Sequence, residues 1–123
     1  GTGDFTSMKS LLESGHSINE QDSFGATPLL IATVAGHEDM VDYLLEHSAD
    51  PTIEAKDGYS LLHGAAFSGK KSLVRKMLAY GLNMNQRYGT DKITPTDVGE
   101  EGSEGLIYLR SMGGRSAWEL GPE

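Results

Sequence analysis

Apolar and polar positions along this chain recur with a period of 33 residues. Gly3, Gly36 and Gly69 share that interval, as do Leu11, Leu44 and Met77, and Leu12, Leu45 and Leu78. Gly25 and Gly58 share it too, as do Asn19 and Thr52. A period of this length is one supersecondary unit per repeat and is too long for a coiled coil. Inside the period, residues 22–25 (Asp-Ser-Phe-Gly) are a tight-turn sequence whose glycine can take positive φ. Thr27 followed by Pro28 predicts a helix N-cap with proline at the first helical position, where its missing N–H costs nothing. Leu29, Leu30, Ala32 and Thr33 carry a short helix that ends at Gly36. A second helix is predicted over 37–47. Met40, Val41, Leu44 and Leu45 form its apolar stripe, opposite Glu38, Asp39, Asp42 and Glu46. Residues 58–81 repeat this grammar with Ser60, Ala65, Ala66 and Gly69, then Leu73, Val74, Met77, Leu78 and Gly81. The unit is turn, helix, short loop, helix, and stacking such units makes an all-α solenoid.

The edges of the pattern set the expected organisation. A partial repeat covers 1–21 and begins at its second helix, over 4–13. Two complete repeats follow at 22–54 and 55–87. The last, 88–114, has a one-residue insertion before Thr94 and Pro95, Lys92 where the turn glycine is expected, and Gly99 at the alanine position. Its second helix, over 104–112, is short and puts Arg110 at a leucine position, which reads as a capping repeat with a polar outer face. Residues 115–123, including Trp118, carry no repeat assignment and are expected to be a loosely ordered tail.

The strings G-A-T-P-L-L-I-A-T-V-A-G-H (25–37) and S-L-L-H-G-A-A-F-S-G (60–69) are each followed by a helix with valine and a Leu-Leu or Met-Leu pair. They resemble ankyrin repeats over roughly residues 3–114, so residues 1–114 are read as one ankyrin-repeat domain. The resemblance implies helix-turn-helix units with short β-hairpin-like turns. It also implies that His63 hydrogen-bonds between neighbouring turns, a bond repeat 22–54 lacks because Leu30 stands at the equivalent place. It further implies that the hairpin tips and first helices line a concave, partner-binding surface. The positions there are Ser23, Phe24, Ala26, Val34 and Ala35 in one repeat and Lys56, Asp57, Tyr59, Phe67 and Ser68 in the next. Ser14, His47 and Tyr80 mark the nearby rim, and the insertion over 88–92 would lengthen the last tip. Phe24, Tyr59 and Phe67 are the aromatic anchors of this reading, because large aromatics dominate binding hot spots.

Composition narrows the function classes. A chain of 123 residues with 37 % hydrophobic and 23 % charged residues is an ordinary single globular domain. Its apolar runs are a handful of residues long, against about 20 for a spanning helix, so membrane insertion is not expected. There is no secretory signal pattern and no initiator Met, so the chain is read as a piece or a processed product. The expected compartment is intracellular, cytoplasmic or nuclear, with an organelle reached through a removed transit peptide left open. The net charge of −8 argues against nucleic acid as a partner, since phosphate neutralisation needs Lys and Arg. That charge is unevenly spread. Residues 1–54 hold ten acids and one base, residues 55–98 seven bases and three acids, and residues 99–123 two bases and five acids.

Candidate chemistry is sparse. There is no cysteine, which removes thiol catalysis, disulfides and thiolate metal sites. The four histidines lack metal-type spacing, and the repeat register puts none beside a nucleophile. His37 reads as a surface helix-start residue, and His16 and His47 lie near outer-helix ends. Adjacent acids such as Glu100 and Glu101 point different ways on a helix, and Gly99, Gly102 and Gly105 lack a phosphate-loop context. No metal, no cofactor and no catalysis are expected. Lys70, Lys71, Arg75 and Lys76 form a basic cluster on one outer helix. The register stacks Lys71 beside Glu38 and Arg75 beside Asp42, an expected ion-pair ladder, with a docking face for an acidic partner as the other reading. The function expected is a non-catalytic adaptor, scaffold or targeting module. It would bind a partner protein or extended peptide in the groove, with Glu20, Asp22 and Glu54 steering a basic one. The alternative is an assembly module that dimerises by stacking on another chain through its uncapped N-terminal repeat.

Overall fold

The structure, a computed structural model, describes residues 17–121. The helices in chain order are α1 (Pro28–Ala35), α2 (Glu38–Glu46), α3 (Leu61–Ser68), α4 (Lys71–Ala79), α5 (Pro95–Val98), α6 (Glu104–Ser111) and α7 (Ala117–Leu120), with a 3-10 turn at Lys56–Gly58. The short helix of the expected first repeat, at 4–13, lies outside the described residues.

Each inner helix starts as its sequence dictates. Thr27 caps α1 by accepting a bond from the Leu30 N–H, with Pro28 at its first position. Ser60 caps α3 and Thr94 caps α5 in capping boxes, in which the backbone N–H of the cap residue also donates to the side chain of the third helical residue, His63 Nδ1 or Asp97 Oδ2. Gly36 and Gly69 end α1 and α3 in the left-handed conformation, at φ 75° and 73°, so each chain turns sharply into its outer helix.

The inner helices α1, α3 and α5 pack in a row, and α2 and α4 pack against α1 and α3. The buried stripes that sequence spacing predicts fill the space between the rows: Leu29, Leu30 and Ala32, then Met40, Val41 and Leu44, and one repeat later Leu61, Leu62 and Ala65, then Leu73, Val74 and Met77. Leu109 of α6 closes the same core.

The turns form a second register. Asp22 N–H donates to the Ala26 carbonyl, Ala55 N–H to Tyr59, and Tyr88 N–H to Ile93, at 2.9, 2.9 and 2.8 Å. These are one hairpin-like bond repeated three times, and the last carries the inserted residue. Lys92 takes the left-handed conformation there (φ 56°), so a lysine fills the turn position expected for glycine. The tips are stitched together by Lys56 N–H to the Phe24 carbonyl at 3.1 Å and Gly89 N–H to the Asp57 carbonyl at 3.0 Å, again 33 residues apart.

The expectation of a loose tail needs correcting for residues 115–121. Ser116 and Glu119 form a capping box around α7. The Arg115 carbonyl accepts from Thr94 Oγ1 at 2.6 Å, Arg115 N–H donates to Asn85 Oδ1 and Ala117 N–H to Asp97 Oδ2, each at 2.9 Å, and Arg87 donates to the Gly121 carbonyl at 3.0 Å. The polar Asn85, Arg87 and Asp97 hold this segment, which is why an apolar periodicity does not reveal it.

Candidate partner-binding surface

The hairpin tips present Ser23, Phe24, Lys56 and Asp57 to solvent. The tip around Phe24 is rigid. Asp22 Oδ1 accepts from both Phe24 N–H and Ala26 N–H at 2.9 Å, and Gln21 Nε2 reaches the Gly25 carbonyl at 2.8 Å and the Glu54 carbonyl at 3.3 Å. Gly25 is required by two constraints, a φ of 79° and an approach that would put a Cβ 3.0 Å from Lys56 N. Phe24 therefore stands on a fixed stalk with 74 % of its surface exposed.

On the inner helices, Val34 of α1 and Phe67 of α3 are equivalent residues on neighbouring elements. Val34 is half-buried, because its methyl groups cover Gly64, while Phe67 is 58 % exposed. Ile31, one turn before Val34, is 48 % exposed and extends the same strip. Sequence reasoning does not single out Ile31, which stands among the apolar residues Leu29, Leu30 and Ala32; only the packing of α1 shows that it is left outside the core. Ala26 and Ser68 are half-buried, with the Ser68 hydroxyl turned back onto the Ala65 carbonyl at 2.6 Å, and Ala35 is exposed.

Tyr59 behaves differently from the other two aromatics. Its ring stacks on His63 at 5.1 Å between centroids and meets Tyr88 edge-on at 4.8 Å. Burial pushes its phenol above the usual tyrosine range. Inter-repeat packing thus takes most of this ring. His63 lies beneath it, fully buried, with Ser60 N–H donating to Nδ1 at 3.2 Å and Nε2 against the Ile93 carbonyl at 3.0 Å. An accepting Nδ1 leaves Nε2–H to donate, so the ring is held neutral, and burial moves its pKa below the ordinary 6.5. His63 bridges neighbouring turns.

Tyr80 caps the C-terminal end of α4 and is exposed, and His47 ends α2 stacked on Tyr43 at 4.1 Å between centroids. Ser14 lies outside the described residues, as does most of the N-terminal end on which the dimerisation reading depends. The basic cluster on α4 does not pair as the register suggested. Lys70, not Lys71, faces Glu38 at 3.9 Å and also donates to the Gly36 carbonyl at 2.7 Å, while Lys76, not Arg75, pairs with Asp42. Glu38 thus pairs with a base 32 residues on and Asp42 with one 34 residues on, one to either side of the 33-residue register. Among the described residues no group of three acidic or histidine side chains is placed to hold a metal, and no helix is long and apolar enough to cross a membrane.

Comparison with known proteins agrees with this architecture. The family model described as ankyrin repeats, three copies, matches residues 2–88. The inactive serine/threonine-protein kinase TEX14 of Bos taurus is 35 % identical over 79 residues, which is 64 % of this chain and 5 % of that protein. Protein fem-1 homolog C of Homo sapiens is 41 % identical over 70 residues, 56 % of this chain and 11 % of that protein. Alpha-latrocrustotoxin-Lt1a of Latrodectus tredecimguttatus is 34 % identical over 92 residues, 74 % of this chain and 6 % of that protein. The chain thus spans only a small part of the length of these relatives.

Proposed function

This chain belongs to the ankyrin-repeat family, and from that premise we propose that its hairpin tips and inner helices hold a partner protein or extended peptide, with Phe24, Ile31 and Phe67 as the apolar anchors. Ankyrin repeats are general protein–protein interaction modules. One observation carries it. Both phenylalanines among the described residues are exposed, while the leucines beside them, Leu29, Leu30, Leu61 and Leu62, are at most 5 % exposed. Two large apolar rings held in water on ordered backbone favour a binding role. Ser23, Ala26, Val34, Lys56, Asp57 and Ser68 frame the anchors, with Tyr80 at the rim. Glu20, Asp22 and Glu54 give the N-terminal side an acidic field that draws a basic partner.

The test uses Phe24→Ala/Phe67→Ala and leaves Tyr59 intact, because Tyr59 packs against His63 and Tyr88. The double variant is expected to stay within about 0.5 kcal/mol of the parent in urea denaturation, as exposed side chains do. In affinity capture from a lysate of the source organism, partners held by the parent are expected to drop out with the variant. Equal capture by both sinks the groove reading. With a captured partner in hand, the association rate should slow steeply with added salt; an unchanged rate removes the steering role of the acids.

A further inference from the structure

A second surface lies on the outer helices, and it has the opposite charge. Four bases sit on or beside α4, and the structure divides them into two pairs. Lys70 and Lys76 are satisfied by Glu38, the Gly36 carbonyl and Asp42 of the preceding repeat. Lys71 and Arg75, one turn apart, face the following repeat, and neither has a carboxylate within ion-pair reach among the described residues. What α6 offers them is the ring of Tyr108: Lys71 Nζ lies 5.4 Å and Arg75 Cζ 5.9 Å from its centroid. Cation–π contacts restrain both side chains without neutralising them, so their donors stay free for an anion. The cations border an open cleft of about 640 Å³ between the start of α4 and the start of α6.

We infer that Lys71 and Arg75, fixed against Tyr108, form a docking site for an acidic segment of a protein partner, presenting Asp or Glu side chains. Charge complementarity selects the occupant and its size. Two unpaired cations about one helical turn apart match one or two carboxylates, and a guanidinium can take a carboxylate with two parallel bonds. Glu38, Glu100 and Glu104 line the same cleft around the cations. These acids confine an anion to the two cations, so the site takes a short stretch with one or two carboxylates and repels any longer run of negative charge, RNA included. The site is independent of the groove: it stands on outer helices and needs neither Phe24 nor Phe67. With both surfaces in use, the chain joins a basic partner to an acidic one.

The experiment is fluorescence anisotropy with a short labelled peptide carrying two adjacent glutamates at near-physiological salt, with a labelled oligouridylate of similar charge alongside. Saturable peptide binding is expected. Lys71→Ala/Arg75→Ala should weaken it at least about tenfold, the 1.4 kcal/mol or more of a charge-assisted contact. Lys76→Ala, which removes a base already paired with Asp42, should change it less than about twofold. Tyr108→Leu should weaken it about threefold or more through loss of the ring face, with folding checked by circular dichroism. Three results overturn the inference: no saturable binding by the parent, equal losses for Lys76→Ala and Lys71→Ala/Arg75→Ala, or tighter binding of oligouridylate than of the peptide. The last would reassign the site to nucleic acid.

Discussion

The junction between α1–α2 and α3–α4 and the junction between α3–α4 and α5–α6 come from one repeat grammar, yet different forces close them on their outer sides. At the first, side chains span the gap: Lys70 to the Gly36 carbonyl and Glu38, Ser72 to Glu38, and Lys76 to Asp42. At the second, backbone meets backbone. Gly105 N–H donates to the Gly69 carbonyl at 2.9 Å, and a Cβ on Gly105 would fall 2.8 Å from the Gly69 carbonyl carbon. The inner sides differ as well. His63 reaches the Ile93 carbonyl across the second junction, while Leu30, its counterpart, has no polar atom to send across the first. The same fold can therefore be held by long, hydrated side chains or by close packing at glycine. The first arrangement spends side-chain entropy and is weakened by salt, and the second tolerates neither added volume nor a missing bond.

The most severe way to break the second junction is Gly105→Val. The clash is with backbone, which cannot swing aside as a flexible side chain does, so α6 must lift from the α3–α4 turn. A loss of about 3 kcal/mol is expected, at the upper end for overpacking, read as a lower urea midpoint by circular dichroism. Gly102→Val tests the specificity of the argument from the other side. A Cβ there meets no atom within 4 Å, so any cost must come from its left-handed φ of 88° alone. A Gly105→Val protein as stable as the parent would mean that the Gly69–Gly105 approach is not a constraint.

His63→Leu converts the second junction's inner side to the chemistry of the first. It leaves the Ser60 N–H and the Ile93 carbonyl without their partner, an expected cost of about 1–3 kcal/mol at pH 7.5. The pH dependence has a defined sign. Burial lowers the pKa of His63 below its unfolded value of 6.5, so between those two values the unfolded chain binds more protons than the folded one. The stability of the parent is complete above about pH 6.5 and falls as pH drops through the folded pKa. His63→Leu lacks this loss, so the stability gap between the two proteins should narrow on acidification from pH 7.5 to 5. A gap that stays constant would remove the buried neutral imidazole from the account.

These features were unequally visible in the sequence, for physical reasons. Helix caps and stripes rest on local chemistry, so Thr27, Pro28, Ser60, Gly36 and Gly69 announce their elements directly, and the strings 25–37 and 60–69 carry the resemblance to the family. His63 was legible as a bridge through its resemblance to a family position. The site was less so, because exposure depends on how helices rotate against one another. The turn accounts for the exposure of Phe24, that of Ile31 depends on how α1 packs, and His63 stacking with Tyr88 edge-on covers much of the Tyr59 ring. The ion pairs depart from the register by one residue in opposite directions, since long side chains on their own rotamers, not the repeat spacing, decide which base reaches which acid. Residues 115–121 were missed because polar side chains distant in sequence, such as Asn85 and Asp97, hold them.

The smallest effect expected is at the first junction, and it completes the contrast. Lys76 and Asp42 have side chains 31 % and 50 % exposed, so water already solvates both charges and the pair contributes little. A double-mutant cycle with Lys76→Ala and Asp42→Ala should give a coupling of about 0.2–1 kcal/mol at low salt. Near 1 M salt the Debye length shrinks to about 3 Å and most of that coupling should vanish. The defect produced by Gly105→Val should persist under the same conditions, because hard contact between backbone atoms is not screened. A Lys76–Asp42 coupling of 2 kcal/mol or more, or one unmoved by salt, would mean that this pair is effectively dehydrated. The two junctions would then be closed by the same kind of force.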